Sequence, residues 1–349
     1  MHAEGPAQAY GSGVNSTTQP LTTSCARARR AVPDMTFRRL GDSGLAVSTA
    51  GLGCNTFGAT LPDEGVRPLV DAAIDAGVTF FDTADCYGGR PGQSEELLGA
   101  ALRGRRDDVV VATKFGIDVG GLNGSDWGAR GSRRYVRRAV EGSLRRLGTD
   151  WIDLYQIHRP DPSTPIEETL GALHELVVEG KVRYLGSSNF AAWQVVDADW
   201  VARTAHLTPF VSAQNRYHLL ERGVEAELVP AAETCGVGLL PYTPLASGLL
   251  TGKYRRDEAA PDGSRLARMP ERLASADFDR IDALAALAEQ WGIDLPTVAL
   301  GGLAAQPGVG SVIAGARTPE QLCSNVAAIL WEPDLAQLAA IDEAAPGPL

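Results

Sequence analysis

From Thr36 onward the chain alternates short apolar runs with segments of helical period, and it does so eight times. The runs are "TAGLGC", "GVTFFDTA", "DVVVATK", "WIDLYQIH", "VRYLGSS", "PFVSAQN", "VGLLPYT" and "GVGSVIAG". Most are nearly continuous in apolar residues, as expected for strands covered on both faces, which is how parallel sheets are built. Between them the periodicity predicts helices over about 65–76, 92–103 and 133–147, after Pro165, and near 191–203 and 222–235. Beyond a long polar insertion from Ser247 to Ser275 come helices near 278–291, 296–305 and 319–330. In the segment from Arg133 to Leu147, Val136, Val140, Leu144 and Leu147 share one face and the arginines lie elsewhere, the pattern of an amphipathic helix with a solvated exterior. Pro165 suits a first helical turn, with Thr164 as its N-cap.

Alternating β and α segments indicate an α/β fold. An open doubly wound sheet of this length is expected to carry a glycine fingerprint, but the nearest motif, Gly51-Leu52-Gly53, is followed by Thr56 where the third glycine belongs. Eight regular repeats without that fingerprint predict a closed (β/α)8 TIM barrel, one domain over residues 35–349. Ahead of it, "TFRRLGDSGLAVS" predicts an N-terminal β-hairpin turning at Gly41 to Gly44. Residues 1–34, rich in Ala, Gly, Ser, Thr and Gln, lack apolar periodicity and are expected to be a disordered tail, with Met35 an alternative translation start.

A formal net charge of -11 repels polyanions, so neither nucleic acid nor an anionic membrane is expected as a partner. The five cysteines (Cys25, Cys54, Cys86, Cys235 and Cys323) show neither CxxC spacing nor a disulfide framework, as expected in a reducing compartment. There is no metal motif, no run of 18 apolar residues and no signal-peptide core, and the expectation is a cytoplasmic protein.

In such a barrel, chemistry gathers at the C-terminal ends of the strands. Here those ends offer Asp82, Lys114, His158, Ser188-Asn189 and Gln214-Asn215. A single charge there is as readily a structural ion pair as a functional group; an acid, an amine and an imidazole on three successive strands argue for chemistry. Asp82 and Lys114 are placed to pair, and Tyr87 is near enough in sequence to fold back over Lys114. An ammonium beside a phenol favours phenolate and is expected to lower a pKa that is ordinarily about 10. A tyrosine so tuned donates protons near neutrality, and a positioned general acid contributes about 10²- to 10⁴-fold in rate. His158 is placed to hydrogen-bond the same reacting oxygen. Asp85 reads as a loop residue, Cys86 as a small packed one, His174 as a surface residue, and Tyr217 with His218 as loop-shaping. Trp127, in the glycine-rich stretch Gly116 to Gly131, is the candidate to line a substrate mouth.

With "GVTFFDTADCYGG", "VVVATKFG", "DWIDLYQIHRPD", "VRYLGSSNF", "AQNRYHLL", "LPYTPLASGLLTGKY" and "VIAGARTPEQLCSN" in this order, the chain resembles the aldo-keto reductase family over residues 36 to about 330. Each piece alone is a weak signal, and the combination is specific. The resemblance implies NADPH-dependent reduction of a small-molecule carbonyl, with Tyr87 as general acid, Asp82 and Lys114 tuning it, and His158 orienting the carbonyl. It further implies that Ser188, Asn189 and Gln214 bind the nicotinamide carboxamide and that Tyr242 stacks on the ring. Thr243, Leu245, Ser247 and Gly248 would follow the pyrophosphate, with Gly315, Arg317, Gln321 and Asn325 at the adenosine end. Lys253 and Arg265 would add positive charge from the insertion, and Arg317 would meet a 2′-phosphate, which guanidinium pairs with bidentately. Ser324 stands where many relatives carry a carboxylate. Two other functions compete: a Schiff-base enzyme of aldolase type using Lys114, and an NADP-binding regulatory subunit, since the resemblance extends to potassium-channel β subunits.

Overall fold

A computed structural model describes residues 34–348. The tail expected over 1–34, apart from Asp34, and Cys25 lie outside the described residues. A hairpin of β1 (Phe37–Arg39) and β2 (Ala46–Ser48) precedes eight strands that pair in parallel. These are β3 (Ala50–Gly53), β4 (Phe80–Asp82), β5 (Val110–Phe115), β6 (Ile152–Ile157), β7 (Val182–Ser188), β8 (Phe210–Gln214), β9 (Gly238–Leu239) and β10 (Val312–Gly315). They run in chain order except that β10 lies beside β3. Parallel bridges from Leu239 to Val309 and from Tyr242 to Ile313 join β9 to the β10 side and close the ring, giving the expected (β/α)8 barrel.

The outer helices are α1 (Asp63–Asp75), α2 (Gln93–Ala101), α3 (Arg133–Leu147), α4 (Ile166–Val178), α5 (Ala192–Thr204) and α6 (Val224–Cys235). The insertion holds the short α7 (Pro270–Ala274), and after it come α8 (Phe278–Trp291), α9 (Leu295–Ala304), α10 (Pro319–Ile329) and α11 (Leu335–Ala344). In α3 the four periodic apolar residues are all buried, Ser132 caps the N-terminus by accepting from the Tyr135 N–H, and Gly148 ends the helix in the left-handed conformation.

Two local expectations change, and two features go beyond the sequence reading. Thr164 does not cap α4; its hydroxyl donates to Asp161, which organises that loop, and Pro165 itself takes the cap position. His174 is half-buried rather than on the surface, its Nδ1 accepting from the Thr208 N–H at 3.2 Å. The insertion is folded: its Leu249, Leu250, Tyr254 and Leu266 pack with Phe278, Leu284 and Leu295 beyond it in one cluster. Helix α11 went unpredicted because only Ile341 of it is buried, which leaves little periodicity to read.

The hairpin closes one end of the barrel. Leu40, Leu45 and Val47 pack with Phe80, Ala112, Leu154, Leu240 and Ile313, the apolar layer of the barrel interior. Arg38 donates to the carbonyl of Ala304, an orphan acceptor at the end of α9, and to that of Val309 in the segment leading to β10. At the turn, Gly41 has φ of +58°, and a Cβ there would stand 2.1 Å from the Gly236 carbonyl oxygen. That oxygen already accepts from the Asp42 N–H at 2.9 Å. Gly41→Ala therefore combines left-handed strain with a backbone clash, and is expected to cost about 2–4 kcal/mol of stability by denaturant titration.

Candidate active site

Strand periodicity builds the site. Residues two apart on a strand share a face, so the interior layer of Phe80, Ala112 and Leu154 is followed, toward the C-terminal end, by Asp82, Lys114 and Gln156. The barrel is apolar against the hairpin and polar at its open end.

Lys114 is 0% exposed. Its Nζ donates to Asp82 Oδ2 at 2.6 Å and to the Thr83 carbonyl at 2.9 Å, and lies 3.5 Å from the Tyr87 hydroxyl. The other Asp82 oxygen accepts from Gln214 Nε2 at 2.8 Å and Gln156 Nε2 at 3.3 Å. Sequence reasoning missed Gln156, although its polarity inside "DLYQIH", two residues before His158, was the available signal. His158 is buried, and its ring meets that of Tyr87 edge-on with centroids 5.7 Å apart.

The electrostatics correct one expectation. Burial pushes the Tyr87 phenol up to about 12; Lys114 pulls it down and Asp82 pushes it up again, so the net shift is upward and not below 10. For Lys114, burial is the largest influence and disfavours the ammonium, but the Asp82 carboxylate, Tyr87 and Cys86 together outweigh it and the pKa rises. Burial first, then the charges of Lys114 and Arg159, lower His158 to about 2, so its imidazole is neutral. Cys86 Sγ packs 3.7 Å from His158 Nδ1, and burial pushes this thiol up to about 12. A protonated phenol thus faces a fixed cation and a neutral imidazole, an arrangement suited to giving a proton to an oxygen that is gaining negative charge.

Asp85 lies on a turn, as expected of a loop residue, but not at the surface. It is fully buried and accepts from Asn123 Nδ2 at 2.9 Å.

Beside the four residues lie Ser188, Asn189, Gln214 and Tyr242. Asn189 donates to the His158 carbonyl and to Ser188 Oγ, and accepts from the Tyr242 hydroxyl at 2.7 Å. Next come Thr243, Leu245, Ser247 and Gly248, where the backbone turns left-handed at Thr243, Ala246, Ser247 and Gly248. The Thr243 and Ser247 hydroxyls and Asn215 Oδ1 are buried without a partner. A Cβ on Gly248 would lie 3.4 Å from Lys253 Nζ, so that lysine overhangs the same turn. Across the β9–β10 closure, Gln321 accepts from the Arg317 N–H and Asn325 donates to the Gly315 carbonyl.

Two residues stand apart. Arg265 is exposed at the edge of the short turn Leu266–Arg268. Trp127 is 78% exposed and stacks on the Arg134 guanidinium at 4.3 Å, at the rim of the barrel. A depression of about 690 Å³ lies within the insertion, lined by Arg255, Arg256, Leu266, Pro270 and Phe278 among others, and touches none of the four converging residues. Among the described residues, no group of three or more His, Cys, Asp or Glu is placed to hold a metal, and no helix is long and apolar enough to cross a membrane.

Comparison with known proteins agrees with the barrel fold. The model of the aldo/keto reductase family matches residues 50–346. The chain is 37% identical over 305 residues to a probable voltage-gated potassium channel subunit beta of Oryza sativa subsp. japonica, covering 84% of this chain and 91% of that one. It is 37% identical over 320 residues to the uncharacterized oxidoreductase YrpG of Bacillus subtilis (strain 168), covering 90% and 97%. A probable channel subunit beta of Arabidopsis thaliana is also 37% identical, over 306 residues, covering 84% and 91%. With a barrel whose mouth gathers Asp82, Tyr87, Lys114 and His158, and a family match over nearly all of that barrel, the chain belongs to the aldo/keto reductase family of oxidoreductases.

Proposed function

We propose that the protein reduces an aldehyde or ketone to the alcohol with NADPH, and that Tyr87 supplies the proton. The observation that carries this reading is the 3.5 Å approach of the buried Lys114 ammonium to the Tyr87 hydroxyl, with Asp82 behind it. When bound, the cofactor supplies a hydride to the carbonyl carbon. The carbonyl oxygen then becomes strongly basic and takes the Tyr87 proton, and Lys114 stabilises the phenolate left behind. A phenol at about 12 keeps its proton at neutral pH, yet is far more acidic than an alcohol, so transfer to the nascent alkoxide runs downhill. His158 Nδ1 is turned to Cys86, which leaves Nε2 to hydrogen-bond the same oxygen.

The side of the mouth that carries Ser188, Tyr242 and Thr243 would suit a dinucleotide. Its unpartnered buried hydroxyls, on Thr243 and Ser247, suit pyrophosphate oxygens, and its left-handed turns lie where a phosphate group must approach backbone. Ser188, Gln214 and Asn189 would hold the carboxamide, Asn189 offering its oxygen only by releasing the Tyr242 hydroxyl. Leu245 and Gly248 would shape the pyrophosphate turn with Lys253 beside it, and Arg265, exposed on the insertion, would add positive charge from there. Gly315, Arg317, Gln321 and Asn325 would take the adenosine end, and Arg317 the 2′-phosphate. Trp127 would meet substrate from the rim.

Lys114 is a poor candidate for a Schiff base, because Asp82 and the Thr83 carbonyl hold it as a buried ammonium. A regulatory role beside a membrane channel has one specific support, the two plant relatives named as channel subunits. Retrieval of a membrane protein with the tagged chain would favour it. A panel of aldehydes, ketones, quinones and sugars, read by NADPH oxidation, identifies the substrate class.

Tyr87→Phe is expected to lower kcat by about 10²- to 10⁴-fold while leaving NADPH affinity near wild type; substantial remaining turnover would remove Tyr87 as the acid. Arg317→Ala is expected to weaken NADPH by about tenfold or more and NADH little, the loss of one charged hydrogen-bonded contact. Equal losses for the two cofactors in binding titrations would sink the 2′-phosphate assignment.

A further inference from the structure

Two residues before Tyr87, on the same turn, a carboxyl is buried with no cation of its own. Asp85 is 0% exposed; its N–H donates to the Lys114 carbonyl at 3.1 Å, and its Oδ2 accepts from Asn123 Nδ2 at 2.9 Å. Its Oδ1 is buried without a partner, as is the hydroxyl of Tyr155 on β6, which senses the same carboxyl. The nearest guanidinium is already taken: Arg146 of α3 donates to Glu95 Oε2 at 2.6 Å, and Thr113 donates to Glu95 Oε1. Asn123 is the only side chain that the glycine-rich loop over 116–131 commits to Asp85, and it also reaches the Tyr135 hydroxyl and Arg146, each at 3.4 Å.

We propose that Asp85 is a positioning residue for the reaction, locking the turn that carries Tyr87 to the loop over residues 116–131 through Asn123. The inference rests on the reading of Tyr87 as proton donor. The lock works with a neutral carboxyl. The groups facing Asp85 are Glu95 from α2, Arg146 and Tyr135 from α3, Lys114 from β5, Tyr155 from β6 and the neighbouring Cys86. Burial and then Glu95 push Asp85 up to about 8, against the pull of Arg146, Asn123 and Lys114. Below that pH the carboxyl sits neutral in its pocket. Above it, an unpaired carboxylate would face Glu95, and water must enter to solvate it, which loosens the turn from the loop.

The sign of the stability effect follows. An unfolded aspartate titrates near 3.9, so between about pH 4 and pH 8 the folded state holds a proton that the unfolded state has released. Raising the pH through that window therefore favours unfolding, and the penalty is complete above pH 8.

The test compares wild type with Asp85→Asn and Asp85→Ala. Asparagine keeps the acceptor for Asn123 and cannot ionise. In cofactor-free protein, Asp85→Asn is expected to have a higher Tm than wild type at pH 7 to 8 and a flatter decline of Tm from pH 5 to 8. With NADPH, wild-type kcat is expected to fall as the pH passes about 8, well below the range where Tyr87 itself titrates. Asp85→Asn should retain most of the wild-type kcat at pH 7 and lack that fall. Asp85→Ala should lose about 10- to 100-fold in kcat at pH 7, the cost of a displaced proton donor, with NADPH affinity unchanged. An asparagine variant that keeps the wild-type pH dependence of Tm or of kcat overturns the proposal, and so does an alanine variant with wild-type kcat. Failure of the reading beneath it shows separately, as turnover by Tyr87→Phe.

Discussion

The site is organised around one buried ion pair, Lys114 with Asp82. Two charges out of water are expensive unless their remaining hydrogen-bonding capacity is met. Here it is met: the ammonium reaches the Thr83 carbonyl and the Tyr87 hydroxyl, and the second carboxylate oxygen accepts from Gln156 and Gln214. Five strands, β4 to β8, supply or border these groups, so the polar layer at the barrel mouth is set by the pair's requirements. Removing one partner would leave an uncompensated charge in the same place, which typically costs about 3–5 kcal/mol.

The chemistry then turns on a contest between burial and charge. Burial alone would hold the Tyr87 proton very tightly, and Lys114 moderates this without reversing it, because Asp82 neutralises much of the lysine's field. The result is a phenol that stays protonated in the resting protein and loses its proton when a strong base appears beside it. His158 is neutral by the same burial, so it orients by hydrogen bonding without competing as an acid. The hairpin contributes at the far end: by packing Leu40, Leu45 and Val47 against the interior apolar layer, it leaves the C-terminal mouth as the face where polar groups collect.

Much of this was legible in the chain. Eight apolar runs, the hairpin, the α3 face and the set Asp82, Tyr87, Lys114 and His158 follow from local pattern and strand-end position. What escaped shares a physical cause, dependence on neighbours far along the chain. Gln156 looks like a polar interruption until register sets it beside Lys114. Asp85 is an ordinary loop residue by its sequence, and its burial appears only when Asn123 closes over it. His174 looks exposed until Thr208 meets it, and the polar insertion shows no core pattern of its own because its buried residues pack with others on both sides of it.

The amino-acid sequence by itself determined the order of the elements, the closed parallel sheet and which titratable residues stand at its strand ends, because periodicity and strand direction are local properties. Only the tertiary structure decided their protonation. The field at Tyr87, His158 and Asp85 is a sum over burial and over charges from strands and helices distant in the chain, and that sum exists only once the barrel has closed.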